Sequence, residues 1–281
     1  VAVSESSDQE QVEPRPVTLR ERLTGVAPRC KLISLKVLDD GGNIRSTDVL
    51  RALEYVRVEL NGHGKPPLRV HGVNLSLGYE FNAKWFACGQ SPVCVEVDRL
   101  VRSGVVVVIA AGNTGYGELT ARTGITSTGL SLTINDPGNA ELGITVGATH
   151  RDSPHTYGVS FFSSKGPTGD GRLKPDLVAP GERITSCATG RALDDMKEAL
   201  DRQWPQGVPE GVALYIDRSG TSMAAPHVSG AIASFLSIRR EFIGRPEHVK
   251  RVFLDNATSL GRERYFEGHG LVDLMRVIQA V

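Results

Sequence analysis

Residues 104–111 read Gly-Val-Val-Val-Val-Ile-Ala-Ala, a run without a polar side chain. Val105 to Ile109 are all β-branched, and such side chains favour strands over helices. The run is far too short to cross a bilayer, which takes about 20 apolar residues. A strand with one wet face alternates apolar and polar residues. A continuously apolar strand is covered on both faces, which is the habit of parallel sheets flanked by helices.

The rest of the chain supplies such helices and further strands. Strand patterns occupy residues 31–38 (KLISLKVL, closed by a turn over Asp39 to Asn43), 69–77, 142–148 and 177–179. Helical spacing follows a cap at Ser46 or Thr47, through Val49, Leu50, Leu53, Val56 and Leu60. It returns over residues 93–101, 224–239, 247–256 and 271–281. The alternation predicts an α/β fold: a mostly parallel sheet with helices on both faces. No internal repeat or second-domain linker is seen. Residues 1–281 therefore read as one domain, with residues 1–24 as a surface loop and 182–218 as an insertion.

Lys plus Arg equals Asp plus Glu at 32 each, so the formal net charge is zero. That removes the electrostatic case for nucleic acid or acidic membranes as partners, and no apolar run suits membrane insertion. Four cysteines are too few for a disulfide scaffold. Cys88 and Cys94 either bridge across a short loop or remain thiols, and Cys30 and Cys187 have no partner legible in sequence. The compartment is not written in the chain.

Residues 219–236, SGTSMAAPHVSGAIASFL, place small hydroxylated residues at the mouth of an apolar helix. A nucleophilic serine needs a rigid support, a base and donors aimed at the oxyanion. Gly220 permits a tight turn and close substrate approach, and Ser222 falls where free N–H groups and the helix dipole favour negative charge. Pro226 is tolerable because the first-turn N–H groups have no intrahelical partner anyway. Read alone, Ser222 is an ordinary N-cap.

Its company says otherwise. Gly220-Thr221-Ser222-Met223-Ala224-Ala225-Pro226-His227 closely resembles the serine motif of the subtilisin-like serine proteases. Ala110-Ala111-Gly112-Asn113, Ser76-Leu77-Gly78, Gly25-Val26-Ala27-Pro28, Phe162 to Pro167, Lys174 to Gly181 and Gly268 to Asp273 resemble further segments of that family, in its order, over most of residues 25–281. The resemblance implies a subtilisin-like α/β fold and peptide-bond hydrolysis through an acyl-enzyme. It implies Ser222 as nucleophile, with the Asn113 amide and the Ser222 N–H as oxyanion donors. Ser76, Leu77, Gly78, Ala110, Ala111, Gly112 and Gly220 would line the cleft, and a protein or peptide would be the substrate.

Two insertions depart from compact relatives: residues 182–218, with a surface helix expected over Ala192 to Leu200, and residues 115–131, expected as a loop. The larger departure is an absence. The family's catalytic order is Asp, His, Ser, yet no Asp-Ser/Thr-Gly and no His-Gly-Thr-His motif occurs here. Val1-Ala2 fits what would follow the latter. The chain thus reads as an active peptidase domain lacking its N-terminal portion. The missing upstream segment would complete the triad and supply an inner strand, leaving these residues alone poorly stable and inactive. The alternative is a non-catalytic relative kept for binding or assembly, but such a site has no reason to retain both Ser222 and Asn113.

None of the seven histidines carries motif context, and His227 lies roughly 140° around the helix from Ser222. No Asp/Asn cluster has convincing calcium spacing. Calcium is implied by the resemblance only, and no metal or other cofactor is assigned. A dinucleotide turn at Gly112, Gly115 and Gly117 has the wrong spacing. A hydrolase elbow at Ser222 would need a strand directly before it, where LYIDRS is a weak one.

Overall fold

The computed structural model describes residues 23–39, 43–64, 66–82, 84–121, 124–188, 193–194, 197, 200–202, 204–208 and 214–281. In chain order the elements are α1 (Ser46–Tyr55), β1 (Gly72–Leu75), α2 (Pro92–Arg102), β2 (Val106–Ala110), β3 (Tyr116–Ala121), β4 (Gly124–Gly129), β5 (Ile144–Thr149) and α3 (Pro154–Tyr157). There follow β6 (Leu177–Pro180), β7 (Ile184–Cys187), β8 (Tyr215–Arg218), α4 (Thr221–Ile238), α5 (Pro246–Asp255), α6 (Arg264–Glu267) and α7 (Leu274–Ala280).

The main sheet runs β1-β2-β5-β6, all parallel. The apolar run forms its inner strand β2, and the alternation of side chains along a strand explains its composition. Val105, Val107 and Ile109 point to one layer with Val49 and Leu53 of α1 and Val97 and Leu100 of α2. Val106, Val108 and Ala110 point to the other, with Ala224, Val228 and Phe235 of α4, Phe253 of α5 and Val277 of α7. Each side chain from Val105 to Ala110 is at most 4% exposed. Burial of this kind contributes about 1.5–3 kcal/mol per large aliphatic residue.

Residues 31–38 correct the strand expectation. They form no ladder; only Leu38 makes an isolated bridge, to Ile44. Leu32 is 90% and Ile33 57% exposed. Apolar alternation suits a strand, but a strand exists only where a neighbour takes its N–H and C=O groups. Among the described residues β1 ends the sheet, and its outer edge also has no strand beside it.

The insertion at 115–131 is a hairpin rather than a loop. β3 and β4 pair antiparallel from Tyr116↔Gly129 to Ala121↔Gly124. Its threonines, read as loop residues, are β-branched strand formers. β7 and β8 form a second antiparallel ribbon at the stem of the insertion 182–218. There Ala188, Leu200 and Ile216 gather Trp204 and Leu214 into a small separate core. The helix expected over 192–200 and the loop over 1–24 lie largely outside the described residues. The last helix starts at Leu274, with the Asp273 carboxylate capping it by accepting from the Arg276 N–H, whereas Leu271 bridges to Val178 and Thr258.

Cys88 and Cys94 are separate thiols, each pushed up in pKa chiefly by burial. The segment at Gly25 to Ala27 crosses α4 at Gly230, where a Cβ would stand 2.8 Å from that of Val26.

A buried ion cluster joins β5 to β6. Lys174, 2% exposed, sits 2.6 Å from Asp176, and Lys250 reaches the other Asp176 oxygen at 3.0 Å. Burial lowers the Lys174 pKa to about 8 against the pull of Asp176. Burial alone would raise the Asp176 pKa, but the two lysines outweigh it and hold the carboxyl below its usual range. This carboxylate's stabilising contribution is present above about pH 4 and is lost as pH falls through the lower folded value. Asp176→Asn leaves two ammonium groups without their counter-charge and is expected to cost ~3–5 kcal/mol. Lys174→Met is expected to cost much less, since Lys250 still faces Asp176. Denaturant titration of the full-length variants compares the two, and equal losses would contradict this account.

Candidate active site

The carboxyl ends of parallel strands gather the exposed backbone of a sheet at one rim. At this rim β1 runs into Ser76, β2 into Ala111 and Gly112, and β6 into Gly181. α4 begins there as well, because the Gly220 N–H donates to the Gly181 carbonyl at 2.8 Å.

Two glycines shape the junction. Gly112 has φ +108°, and a Cβ on it would lie 2.7 Å from Asn135 Cγ and 2.8 Å from Ser164 Oγ. Only glycine lets the chain leave β2 and turn to Asn113 there. Gly220 has φ +152°, and its missing Cβ would stand 3.4 Å from Asn113 Nδ2, so the amide stays uncovered.

Asn113 is held by Thr221. Its Oδ1 accepts from the Thr221 N–H at 2.9 Å and from the Thr221 hydroxyl at 3.1 Å. The same hydroxyl accepts from the Gly112 N–H at 3.1 Å. A backbone N–H only donates, so the amide oxygen must face it and the NH₂ group must face outward. Among the described residues Nδ2 has no acceptor. Thr221 is fully buried, and the sequence reading passed over it. Its place between Gly220 and Ser222 in the motif was the available signal.

Ser222 is the second residue of α4, and the N-cap is Gly220. The ordinary capping role is therefore not the one Ser222 takes. Among the described residues its Oγ and its N–H have no partner. Pro226 corrects a second expectation. It lies past the first turn, so its absent N–H is the one that would have reached the Ser222 carbonyl. The Ser76 hydroxyl takes that place, donating to Ser222 O at 2.8 Å. Ser76 Oγ in turn accepts from Asn74 Nδ2 at 2.8 Å, and Asn74 Oδ1 accepts from Ser229 at 2.9 Å. The Ser76 side chain thus fastens the first turn of α4 to the end of β1.

The cleft segments come together on either side of Asn135. Its N–H donates to the Ala111 carbonyl, and Tyr79 exchanges both backbone bonds with Asp136. A Cβ on Gly78 would lie 3.5 Å from that of Asn135. Leu77 packs against the core beside α1 and α2. No backbone bond to Ser76, Leu77 or Gly78 occurs among the described residues, so this stretch presents an unpaired edge. Behind Gly112, the Ser164 N–H donates to its carbonyl, and Ser164 Oγ accepts from the Thr114 N–H. These supports, Thr114, Asn135 and Ser164, were also missed. The Phe-Ser-Ser-Lys-Gly-Pro segment pointed to one of them.

The seven imidazoles are placed elsewhere. His227 Nδ1 bonds the Met223 carbonyl of its own helix at 2.9 Å. His150 Nδ1 accepts from the Asp152 and Ser153 N–H groups, with its ring 4.6 Å from Tyr157. His155 lies in α3. His71 and His269 join the amino ends of β2 and β6. His248 is in the first turn of α5, and His63 follows α1. None bonds Ser222. β8 does precede Ser222, but it is antiparallel to β7 and outside the main sheet, unlike a hydrolase elbow. Among the described residues no three His, Cys, Asp or Glu side chains gather to hold a metal, and no helix is long and apolar enough to cross a membrane.

The chain is similar to proteins of known name. Pyrolysin of Pyrococcus furiosus is 30% identical over 282 residues, 91% of this chain and 18% of that protein. Serine protease AprX of Bacillus subtilis is 30% identical over 240 residues, 83% of this chain and 48% of its own length. Subtilisin E of the same species is 28% identical over 255 residues, 91% of this chain and 51% of that protein. The chain thus spans about half or less of these relatives. In fold it resembles the patellamide maturation protease PatA, with a TM-score of 0.63 at 22% identity, covering 93% of this chain and 78% of that one. The prenylagaramide maturation protease PagA gives 0.58 at 23% identity, covering 92% and 76%. The model of the subtilase family matches residues 3–271, and the chain belongs to the subtilases.

Proposed function

We propose that this chain carries the nucleophile and the oxyanion donors of a serine endopeptidase. The observation that carries the reading is the Thr221 clamp on Asn113, which leaves the amide NH₂ free beside the turn that bears Ser222. A peptide strand pairs with the unpaired edge at residues 76–78 and passes Ala110, Ala111, Gly112 and Gly220, a β-addition mode that reads main chain first. Ser222 Oγ attacks the scissile carbonyl and gives up its proton to a base. The carbonyl oxygen, now charged, accepts from Asn113 Nδ2 and the Ser222 N–H. The C–N bond then breaks as the amine takes the proton, and water releases the acyl group.

The base is an imidazole supplied by polypeptide outside the described residues, since none of the seven imidazoles here bonds Ser222. The unpaired edge of β1 and the exposed Leu32, Ile33 and Leu35 are where an accompanying strand would be seated. Until it is seated, the Ser222 hydroxyl remains a weak nucleophile.

A fluorophosphonate probe is expected to label Ser222 slowly in residues 1–281 expressed alone and rapidly in the full-length protein. Fast, Ser222-dependent labelling of residues 1–281 would mean that one of the seven histidines serves as the base. In the full-length protein, Asn113→Ala is expected to lower kcat by ~10²–10³ with little change in KM; that magnitude comes from a subtilisin, a relative of this chain. A loss confined to KM would contradict the oxyanion role. Thr221→Val removes the hydroxyl but keeps the N–H bond, so kcat should fall less than in Asn113→Ala, with KM held. Thr221→Ser should restore most of the rate. Equal kcat in the valine and serine variants would show that the hydroxyl does not position the amide.

A further inference from the structure

At the amino ends of β1 and β2, the end of the sheet away from Ser222, the surface folds in to form a recess of about 290 Å³ lined by Arg57, His63, Arg99, Arg102 and Ser103. The strand between the two sites spans about 17 Å. We propose that this recess is an anion site that takes a phosphate or pyrophosphate group.

Charge is the first observation. Glu96, 5% exposed, is the carboxylate that meets these guanidiniums. It accepts from Arg57 Nε at 2.7 Å and Arg99 Nη1 at 3.3 Å. One carboxylate cannot balance three guanidiniums. The Arg102 side chain has no hydrogen bond or ion pair among the described residues. Arg57, its side chain only 20% exposed, is bound through Nε alone, so its two terminal nitrogens remain unused donors. An adjoining recess of about 490 Å³ shares Arg102 and Ser103 and adds His71 and Arg245, with no carboxylate in its lining.

Construction is the second, independent observation. His63 has φ +59° and ψ +34°, a left-handed conformation that costs a non-glycine residue about 1–2 kcal/mol. Asn61 holds the turn in place. It is 2% exposed, donates from Nδ2 to Val70 O at 2.8 Å, and accepts at Oδ1 from the Arg69 and Val70 N–H groups at 3.0 and 2.9 Å. A strained turn buttressed by a buried amide carries the imidazole to the recess wall.

Helix electrostatics explain part of this and not the whole. Arg99 and Arg102 lie in the last turn of α2, where the dipole favours cations by roughly 0.3–1 kcal/mol. That accounts for neither the semi-buried Arg57 nor the held His63. Planar guanidinium forks match the oxygens of phosphate, each making two parallel charge-assisted bonds. The volume suits a small anion.

The test is calorimetric titration of the full-length protein with inorganic pyrophosphate. Saturable one-to-one binding with a Kd of ~0.1–1 mM is expected. Arg102→Gln and His63→Asn should each weaken it at least tenfold. Arg102 has no partner to lose, and asparagine tolerates the left-handed turn, so both variants should keep the unliganded melting temperature and peptidase activity. No saturable binding, or unchanged affinity in both variants, overturns the proposal. Citrate binding as tightly as pyrophosphate also overturns it, because the recess would then sense charge and not phosphate. A phosphoserine peptide or a nucleoside diphosphate that displaces pyrophosphate supports it and tells which source of the group the recess accepts.

Discussion

The two hydrogen bonds that Asn113 Oδ1 accepts from Thr221 tie the end of β2 to the start of α4. Remove them and the amide is free to rotate, and the first turn of the helix loses its direct tie to the end of β2. The clamp settles which atom of the amide faces out. It also spends one N–H of the α4 terminus on structure and leaves the next, that of Ser222, available for chemistry. An N-terminal helix turn has several unpaired donors. Here they are divided between holding the site together and serving it.

The clamp can be rigid because both partners stand on buried supports. β2 is enclosed by two apolar layers, and α4 packs its small residues against one of them. Ala224, Ala225 and Gly230 keep the helix close to the sheet and to the segment crossing it. Pro226 then opens one carbonyl at the helix start, and Ser76 fills it from the neighbouring strand. Ser222 is thereby positioned from two strands at once, β1 through Ser76 and β2 through Asn113. Subtilase membership follows from the whole chain; the catalytic reading rests on this local arrangement.

The same sheet that supports the site is unfinished on one side. β1 pairs with β2 and with nothing beyond it among the described residues, and the apolar residues near 32–35 stand in solvent. Unpaired edges and uncovered apolar side chains are costly features for a chain to keep. They coincide here with the lack of an imidazole at Ser222. The proposed accompanying strand would answer both.

Much of this was legible in the sequence, and the boundary is physical. Residues 104–111 announced a strand covered on both faces because burial on alternate sides is a local, period-two property of composition. Ser222, Asn113 and the cleft glycines were legible as motifs, since each requires a particular residue at a particular turn. The pattern at 31–38 misled, because alternation reports which faces are apolar and says nothing of whether a partner strand is present. The threonines of 116–129 suit a loop and a strand alike, and only the hairpin pairing decides between them. Counting along the helix excuses Pro226, whereas its consequence lies in Ser76, 146 residues from the Ser222 carbonyl that it serves. Thr221 went unnoticed because its role is to grip an amide 108 residues distant. Local chemistry and periodicity were thus determined by the sequence alone. The orientation of the Asn113 amide, the partner of each hydroxyl and the fate of each strand edge were decided only by tertiary structure, since a hydrogen bond depends on which distant group the fold brings within 3 Å.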